Sequence, residues 1–119
     1  MATHNELGKL GEKLAAEHLA AKGYSILAQN YIFQKAEIDI IAQKDNQIIC
    51  VEVKTRNSDF FGDPQSFVTP AKIKQLVKAM NHYLEENEIT LETRFDIIAV
   101  LKNSTTEVVN HYEDAFYHF

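Results

Sequence analysis

Four charged residues lie within two short segments that otherwise consist of strand-forming residues. The segments read AEIDIIAQK and QIICVEVKTR, and a turn at KDNQ separates them. If Asp45 and Asn46 form the tip of this turn, Asp39 lies opposite Glu52 in a hairpin. Glu37 then lies opposite Lys54, and all four side chains project from the same face. The pattern predicts a patch of three carboxylates and one ammonium on a sheet.

The residue types in this patch are suited to phosphodiester hydrolysis. Two neighbouring carboxylates, Asp39 and Glu52, repel each other in an apolar setting, and a divalent cation relieves that repulsion. Mg²⁺, or Mn²⁺ in its place, is commonly held by one or two protein carboxylates beside a substrate phosphate. Lys54 is placed to orient a water or to stabilise the charge that builds up in the transition state. The alternative is that these residues form ordinary cross-strand ion pairs.

Length and composition favour one domain of ordinary globular type. The 119 residues fit a single domain over residues 1–119, with 45% hydrophobic and 24% charged residues. Cys50 is the single cysteine, which fits a reducing compartment. Neither a positively charged leader nor a long apolar run is present, so we expect a cytoplasmic protein with no membrane association.

Charge is unevenly distributed along the chain. The net charge is −5, yet the stretch from Lys54 to Lys78 is basic and the stretch from Glu85 to Asp96 is acidic. A basic surface of this kind could meet a polyanion such as nucleic acid. Two solvated helix faces would give the same pattern.

The signals for secondary structure predict the order α-β-β-β-α-β-β. A capping box of Thr3 with Glu6 begins the first helix and Gly23 ends it. Thr69 and Pro70 begin the second helix. The strands are YSILAQNYIF, the two segments of the hairpin, RFDIIAVL and TEVVNHY. We therefore expect an α/β fold with helices packed on a sheet.

Each predicted helix carries an apolar stripe at helical spacing. In the first helix we expect the stripe to consist of Leu7, Leu10, Leu14 and Ala21. In the second helix it consists of Ile73, Leu76, Val77, Met80, Tyr83 and Leu84. These residues are predicted to face the sheet.

The charged hairpin also resembles a known superfamily. EID…CVEVKTR is similar to the motif of the PD-(D/E)xK nucleases, although Ile38 stands where that name has Pro. The longer pattern GEKLAAEHLAAKGY…N…EIDIIA…VEVKTR resembles the YraN-type bacterial family of unassigned function, which is similar to archaeal Holliday junction resolvases. Ala36 replaces the Gly that is common there. The resemblance implies an αβββαβ restriction-endonuclease-like core with a mixed central sheet flanked by helices.

The resemblance also implies a set of site residues. Asp39 and Glu52 would bind Mg²⁺ or Mn²⁺, and Lys54 would be the catalytic lysine. Glu12 would complete the site from the first helix, in part through a water. Helical spacing places Glu12 on a face of mostly small residues that could pack closely on a sheet. Without the resemblance, Glu12 would be interpreted as a surface residue.

Several further residues are candidates for binding or packing. Lys72, near the start of the second helix, combines its charge with the helix N-terminus and could contact DNA phosphates. Arg56 and Lys74 could contact them as well, and solvated charge is the alternative for all three. Phe60 and Phe61 are expected to pack under their loop, and stacking on unpaired bases or a dimer contact is the alternative. Cys50 is expected to be a buried small residue, and the histidines have no zinc-ligand spacing, with His111 and His118 expected to be surface or packing residues.

The sequence thus favours a Mg²⁺- or Mn²⁺-dependent endodeoxyribonuclease without an organic cofactor. Branched or structured DNA is the substrate class that the resemblance implies, and symmetric cutting of a junction would require a homodimer. A non-catalytic module that binds nucleic acid or protein is the main alternative. RNA as the substrate is a third.

Overall fold

The computed structural model describes residues 4–58 and 68–116. Thr3 of the predicted capping box, Phe60 and Phe61 of the loop, and residues 117–119 lie outside the described residues. Within them, the chain forms two helices and five strands. In chain order these are α1 (His4–Ala21), β1 (Ser25–Phe33), β2 (Ala36–Lys44), β3 (Gln47–Arg56), α2 (Pro70–Glu86), β4 (Glu92–Lys102) and β5 (Glu107–Tyr112). The predicted order is confirmed.

The five strands form one mixed sheet in the order β1-β2-β3-β4-β5. Neighbouring strands are antiparallel except for β3 and β4, which are parallel. A parallel pair needs a crossover connection, and α2 lies in the segment that joins β3 to β4. The predicted α/β class with an αβββαβ core is therefore confirmed.

The two helices cover opposite faces of the sheet. Because side chains alternate along a strand, Cys50 packs in the cluster on the α2 side and Val51 in the cluster on the α1 side. Glu52 consequently points to the α2 side. None of the helices in the described part of the chain has the length and hydropathy of a membrane-spanning segment.

Helix α1 meets the sheet through small residues. Gly11, Ala15 and Leu19 are buried, whereas Ala21 is exposed, so the predicted stripe is wrong at its last position. Small side chains allow the helix axis to approach the sheet closely, which moves the contact line towards them. Gly23 has a φ of 91°, which confirms its predicted left-handed conformation at the end of the helix.

Helix α2 begins and packs as its sequence predicts. The Thr69 side chain accepts a hydrogen bond from the Lys72 amide at 3.2 Å, and Pro70 is the first helical residue. The buried residues of the helix are Leu76, Ala79, Met80 and Tyr83. Ile73, Val77 and Leu84 are partly buried against the same cluster. The cap and the apolar stripe thus set where α2 begins and which of its faces meets the sheet.

Candidate active site

The site forms where β2 separates from β3. Their ladder runs from Lys44–Gln47 to Ile40–Val51 in the predicted register. The two further pairs that we predicted by extending this register, between the hairpin's charged residues, do not belong to the ladder. Instead, Asp39 Oδ2 accepts a hydrogen bond from the Val53 amide at 2.8 Å. A side chain thus takes the place of a backbone acceptor and holds the two strands together at the fork.

A hollow of about 300 Å³ opens beside this fork on the α2 side. We call it the carboxylate pocket. Its lining residues are Lys35, Ala36, Glu37, Asp39, Glu52, Lys72, Gln75 and Leu76. The pocket brings together both predicted metal ligands of the hairpin. It also includes Lys72, for which the sequence predicts a DNA contact or a solvated charge.

Glu52 is a buried carboxylate with only one of its oxygens paired. The residue is 6% exposed, and its Oε1 accepts a hydrogen bond from Lys72 Nζ at 2.6 Å. Its Oε2 is buried and has no hydrogen-bond partner among the described residues. Burial raises the pKa of Glu52, while the hydrogen bond and charge of Lys72 and the charge of Lys54 oppose the rise. A buried, unpaired carboxylate oxygen is costly unless something binds it.

Asp39 is the most strongly perturbed carboxylate in this region. Burial, followed by the negative charge of Glu52, raises the pKa of Asp39 to about 7. The hydrogen bond from the Val53 amide opposes the rise, and the charge of Glu12 adds to it. Asp39 therefore interacts with an acid on each side, and additional positive charge would favour its ionised form.

A second group of carboxylates includes the helix residue Glu12. Glu12, Glu37 and Asp39 each present an oxygen, and these oxygens lie within 4.8 Å of one another. Asp39 belongs to this group and also lines the carboxylate pocket with Glu52. The predicted ligands Glu12 and Glu52 both lie close enough to Asp39 for their charges to raise its pKa.

Asn30 connects two of these acids from the neighbouring strand. Its Nδ2 donates to Glu12 Oε1 at 2.9 Å and to Glu37 Oε1 at 3.1 Å. Asn30 has a φ of 51°, a left-handed conformation that Asn tolerates better than most residues. Sequence reasoning quoted Asn30 only as the isolated N of the family pattern and assigned it no role, and it treated Glu37 only as part of the charged patch. That N, and the occurrence of an Asn within a predicted strand, were the available signals.

The predicted basic residues occupy different places. Lys54 and Arg56 line a smaller hollow of about 150 Å³ that also contains Glu12. Arg56 donates from Nη1 to the Thr55 carbonyl at 3.1 Å. Lys74 is exposed on α2 and does not line either hollow. Lys54 is therefore next to the acids, while Lys74 is separate from them.

The close approach of α1 to β3 fixes the position of Glu12. A Cβ built on Gly11 would lie within 1.9 Å of Thr55 Oγ1 and 2.9 Å of Thr55 Cβ. Glycine is therefore required where the helix crosses the end of β3. The next residue, Glu12, is directed to the acids by this contact.

A second buried acid, Asp96, differs from Glu52 in that both of its carboxylate oxygens accept hydrogen bonds. It accepts two hydrogen bonds from Arg94, at 2.9 and 2.8 Å, one from His111 Nε2 at 2.7 Å and one from the Asp114 amide at 3.0 Å. Burial alone would raise the pKa of Asp96, but these hydrogen bonds lower it. This network joins β4 to β5 and the following turn. It explains why the side chain of His111 is buried. Of the two roles predicted for His111, surface or packing, the structure shows packing.

Cys50 lies under the site without taking part in it. It is a free, buried cysteine, and burial raises the pKa of its thiol. A protonated, inaccessible thiol is a poor nucleophile and a poor ligand. The prediction of a small buried residue is confirmed.

The geometry as a whole is compatible with cation binding. Several carboxylates converge, one is orphaned, and another ionises only near neutrality. Hard divalent cations prefer such oxygen donors, and Mg²⁺ retains waters where protein ligands are few. Asp39, Glu52, Glu12 and Glu37 are the residues that could hold one.

Known proteins are similar to this chain over most of its length. A family model described as "Uncharacterised protein family UPF0102" matches residues 11–100. A UPF0102 protein of Flavobacterium psychrophilum is 62% identical over 119 residues, covering 100% of both chains. One of Phocaeicola vulgatus is 44% identical, covering 98% of this chain and 97% of its own. One of Syntrophomonas wolfei is 42% identical, covering 95% of this chain and 99% of its own. The matched range includes every residue of the carboxylate pocket.

Proposed function

The chain belongs to the family described as uncharacterised protein family UPF0102, and from its carboxylate pocket we propose that it is a divalent-cation-dependent endonuclease that hydrolyses phosphodiester bonds of DNA. The family-level resemblance to YraN-type proteins is confirmed by this membership. We further propose that the chain is a nuclease of the PD-(D/E)xK type. Branched or structured DNA is the proposed substrate.

One observation carries the proposal. The buried Glu52 leaves Oε2 without a partner among the described residues, beside Asp39, whose pKa is raised to about 7. A fold that needed these acids only for stability would pair them, as it pairs Asp96. Leaving a buried acid half-paired costs folding free energy, so a ligand is the physical reason to retain it.

Each proposed ligand reaches the cation from a different element of the fold. Asp39 and Glu52 hold the cation from the two strands of the fork, and Glu12 supports it from α1. A bound Mg²⁺ or Mn²⁺ supplies polarisation of the phosphoryl oxygen and activation of a water. Asn30 keeps Glu12 and Glu37 in place by donating to both. The carboxylates would otherwise rotate freely and offer a less organised set of donors.

Lys54 supplies the positive charge that phosphoryl transfer requires. It follows Glu52 by two residues, so both side chains leave the same side of β3. Its charge already reaches Glu52, since it opposes the rise in the pKa of that acid. An ammonium beside the site can stabilise negative charge on the phosphate as the transition state forms. Arg56, in the same hollow as Lys54, would contact a neighbouring phosphate.

The test compares cleavage by wild type, Lys54→Met and Lys22→Met. Each protein is incubated with a four-way junction and a linear duplex, with Mg²⁺ or Mn²⁺ and with chelator. Lys22→Met is the matched control, because Lys22 is exposed and follows α1. We expect cation-dependent cleavage by wild type and Lys22→Met, with loss of about 10²-fold or more in Lys54→Met.

The same experiment separates the alternatives. Binding without cleavage, unchanged by Lys54→Met, would support a non-catalytic binding module instead. Cleavage of a matched RNA rather than DNA would change the substrate class. If a junction is cut symmetrically, sedimentation should show a dimer on the DNA, because each strand needs its own active site.

A further inference from the structure

The side chain of Lys72 occupies the position of a counter-ion inside the carboxylate pocket. Its Nζ lies 2.6 Å from Glu52 Oε1, and its side chain is 40% exposed, whereas that of Glu52 is 7% exposed. The ammonium therefore reaches inward from the pocket rim to a buried acid. Such an ion pair is stronger than one on the open surface, because water screens it less.

The backbone of Lys72 is fixed, but its side chain can move. Its amide donates to Thr69 Oγ1 in the helix cap at 3.2 Å, which anchors the first turn of α2. No acidic residue lies in that first turn, and a cation there is disfavoured by the helix dipole. Glu52 is thus the contact that keeps the ammonium inward. A four-carbon stem allows it to swing towards solvent when that contact is lost.

A divalent cation and the ammonium cannot share Glu52 without cost. The two oxygens of one carboxylate are close together, so a cation on Oε2 would lie near the ammonium on Oε1. Like charges at such separations repel strongly where water is limited. Asp39 also lines the pocket and would draw the divalent cation into this space.

We propose that Lys72 is a built-in competitor for the divalent cation, occupying Glu52 in the cation-free protein and leaving it when the cation binds. This inference rests on the proposed function, since it assumes that Asp39 and Glu52 hold a cation. It assigns Lys72 a role in setting cation affinity, beyond the DNA contact that its sequence position suggests. The exchange also places the released ammonium at the mouth of the pocket, where a phosphate would approach.

The experiment measures Mn²⁺ affinity by electron paramagnetic resonance at about pH 8, where Asp39 is largely ionised. Four proteins are compared: wild type, Lys72→Met, Lys72→Arg and Lys74→Met. Methionine keeps the unbranched shape and helix propensity of lysine without its charge. Lys74→Met makes the same change two residues away on an exposed position. Circular dichroism establishes that each variant is folded.

We expect Lys72→Met to bind Mn²⁺ about ten-fold more tightly than wild type, because the charge-assisted hydrogen bond to Glu52 no longer has to be broken. Lys72→Arg should bind like wild type, and so should Lys74→Met. Mg²⁺ should also raise the melting temperature of Lys72→Met more than that of wild type. A purely structural ion pair predicts the opposite, since its loss would disorder Glu52 and weaken binding.

Each outcome separates the two proposals. Equal or weaker Mn²⁺ affinity in Lys72→Met, with wild type still binding, would overturn the competitor role and leave the proposed function intact. Binding by Lys72→Met but not by wild type would support the competitor role strongly. Absence of Mn²⁺ binding in all four proteins would overturn both.

Discussion

Asp39 Oδ2 accepts a 2.8 Å hydrogen bond from the backbone amide of Val53, at the point where β2 separates from β3. This contact replaces a strand-to-strand hydrogen bond with one from a side chain. It holds the Asp39 carboxylate at the fork, between Glu52 in the carboxylate pocket and Glu12 on α1. The same contact that ends the ladder therefore positions the central acid of the site.

Asp39→Asn is expected to stabilise the cation-free protein near pH 8. The unfolded carboxyl ionises near 3.8 and the folded one near 7, so between these values the folded state binds more protons and stability falls as pH rises. Above about pH 7 the full cost of the buried Asp39 charge remains. Asn removes that cost, while its amide oxygen can still accept a hydrogen bond from the Val53 amide. We expect the free energy of unfolding of Asp39→Asn to exceed that of wild type by roughly 1–3 kcal/mol at pH 8 and to equal it near pH 4. Urea unfolding at both pH values measures it.

The control for this variant is Asp45→Asn in the exposed turn. Asp45 also has a positive φ, of 55°, which Asn tolerates. Relative to wild type, the free energy of unfolding of Asp45→Asn should change little at either pH. A loss of stability in Asp39→Asn at pH 8 would contradict the interpretation that this acid is held under charge repulsion.

Cation binding is expected to strengthen as pH rises through about 7. Below that value Asp39 holds a proton that a cation must displace, because its pKa is raised to about 7 by burial and by Glu52. Mn²⁺ affinity should therefore increase about ten-fold per pH unit below 7 and level off above it. Isothermal titration in two buffers of different ionisation enthalpy should detect the released proton. A flat profile from pH 5 to 8 would show that Asp39 is not a ligand.

Gly11→Ala is expected to destabilise the fold and weaken cation binding together. The added Cβ would overlap Thr55 side-chain atoms, so α1 must move away from β3 and take Glu12 with it. Overpacking of this kind costs about 1–3 kcal/mol. Gly8→Ala is the matched control, because a Cβ there meets nothing within 4 Å and should stabilise the helix. If both variants behaved alike, the close approach at Gly11 would not be limiting.

Asn30→Gly is expected to weaken Mn²⁺ binding by about ten-fold with little loss of stability. Glycine adopts the positive φ of Asn30 without strain, so the variant removes the side-chain amide alone. Glu12 and Glu37 then lose the donor that orients both. Asn46→Gly, in the exposed turn, provides the comparison. Unchanged affinity would mean that the two acids are oriented by other contacts.

Asp96→Asn is expected to lower the stability of the protein without changing its Mn²⁺ affinity, because Asp96 has a structural role. It removes a buried charge that Arg94 and His111 contact, and breaking such a network costs about 3–5 kcal/mol. Mn²⁺ affinity of the remaining folded protein should stay unchanged, since Asp96 lies on the α1 side of the sheet, away from the carboxylate pocket. Thermal unfolding and Mn²⁺ titration on the same samples test this. A normal melting temperature with lost cation binding would reverse the assignment.

The order of elements, the hairpin register and the start of α2 could all be predicted from local signals. Each depends on contacts between residues close in sequence: the turn at KDNQ sets the pairing of β2 with β3, and Thr69 caps its own helix. Asp39, Glu52 and Lys54 could be predicted as site residues because charged side chains within otherwise apolar strands are costly and hence informative. The resemblance added Glu12, which spacing alone would have left on the surface.

Tertiary structure decided which groups actually meet. The fork between β2 and β3 ends the ladder at Ile40, and strand periodicity does not reveal where a side chain will replace a backbone partner. Asn30 reaches Glu12 over 18 residues, and Lys72 reaches Glu52 over 20. Such contacts depend on how helices are seated on the sheet, which is set by close packing at positions such as Gly11 and Thr55. The sequence by itself therefore determined the elements and the chemistry available, whereas the packing of those elements determined which acids are paired and which oxygen of Glu52 remains without a partner among the described residues.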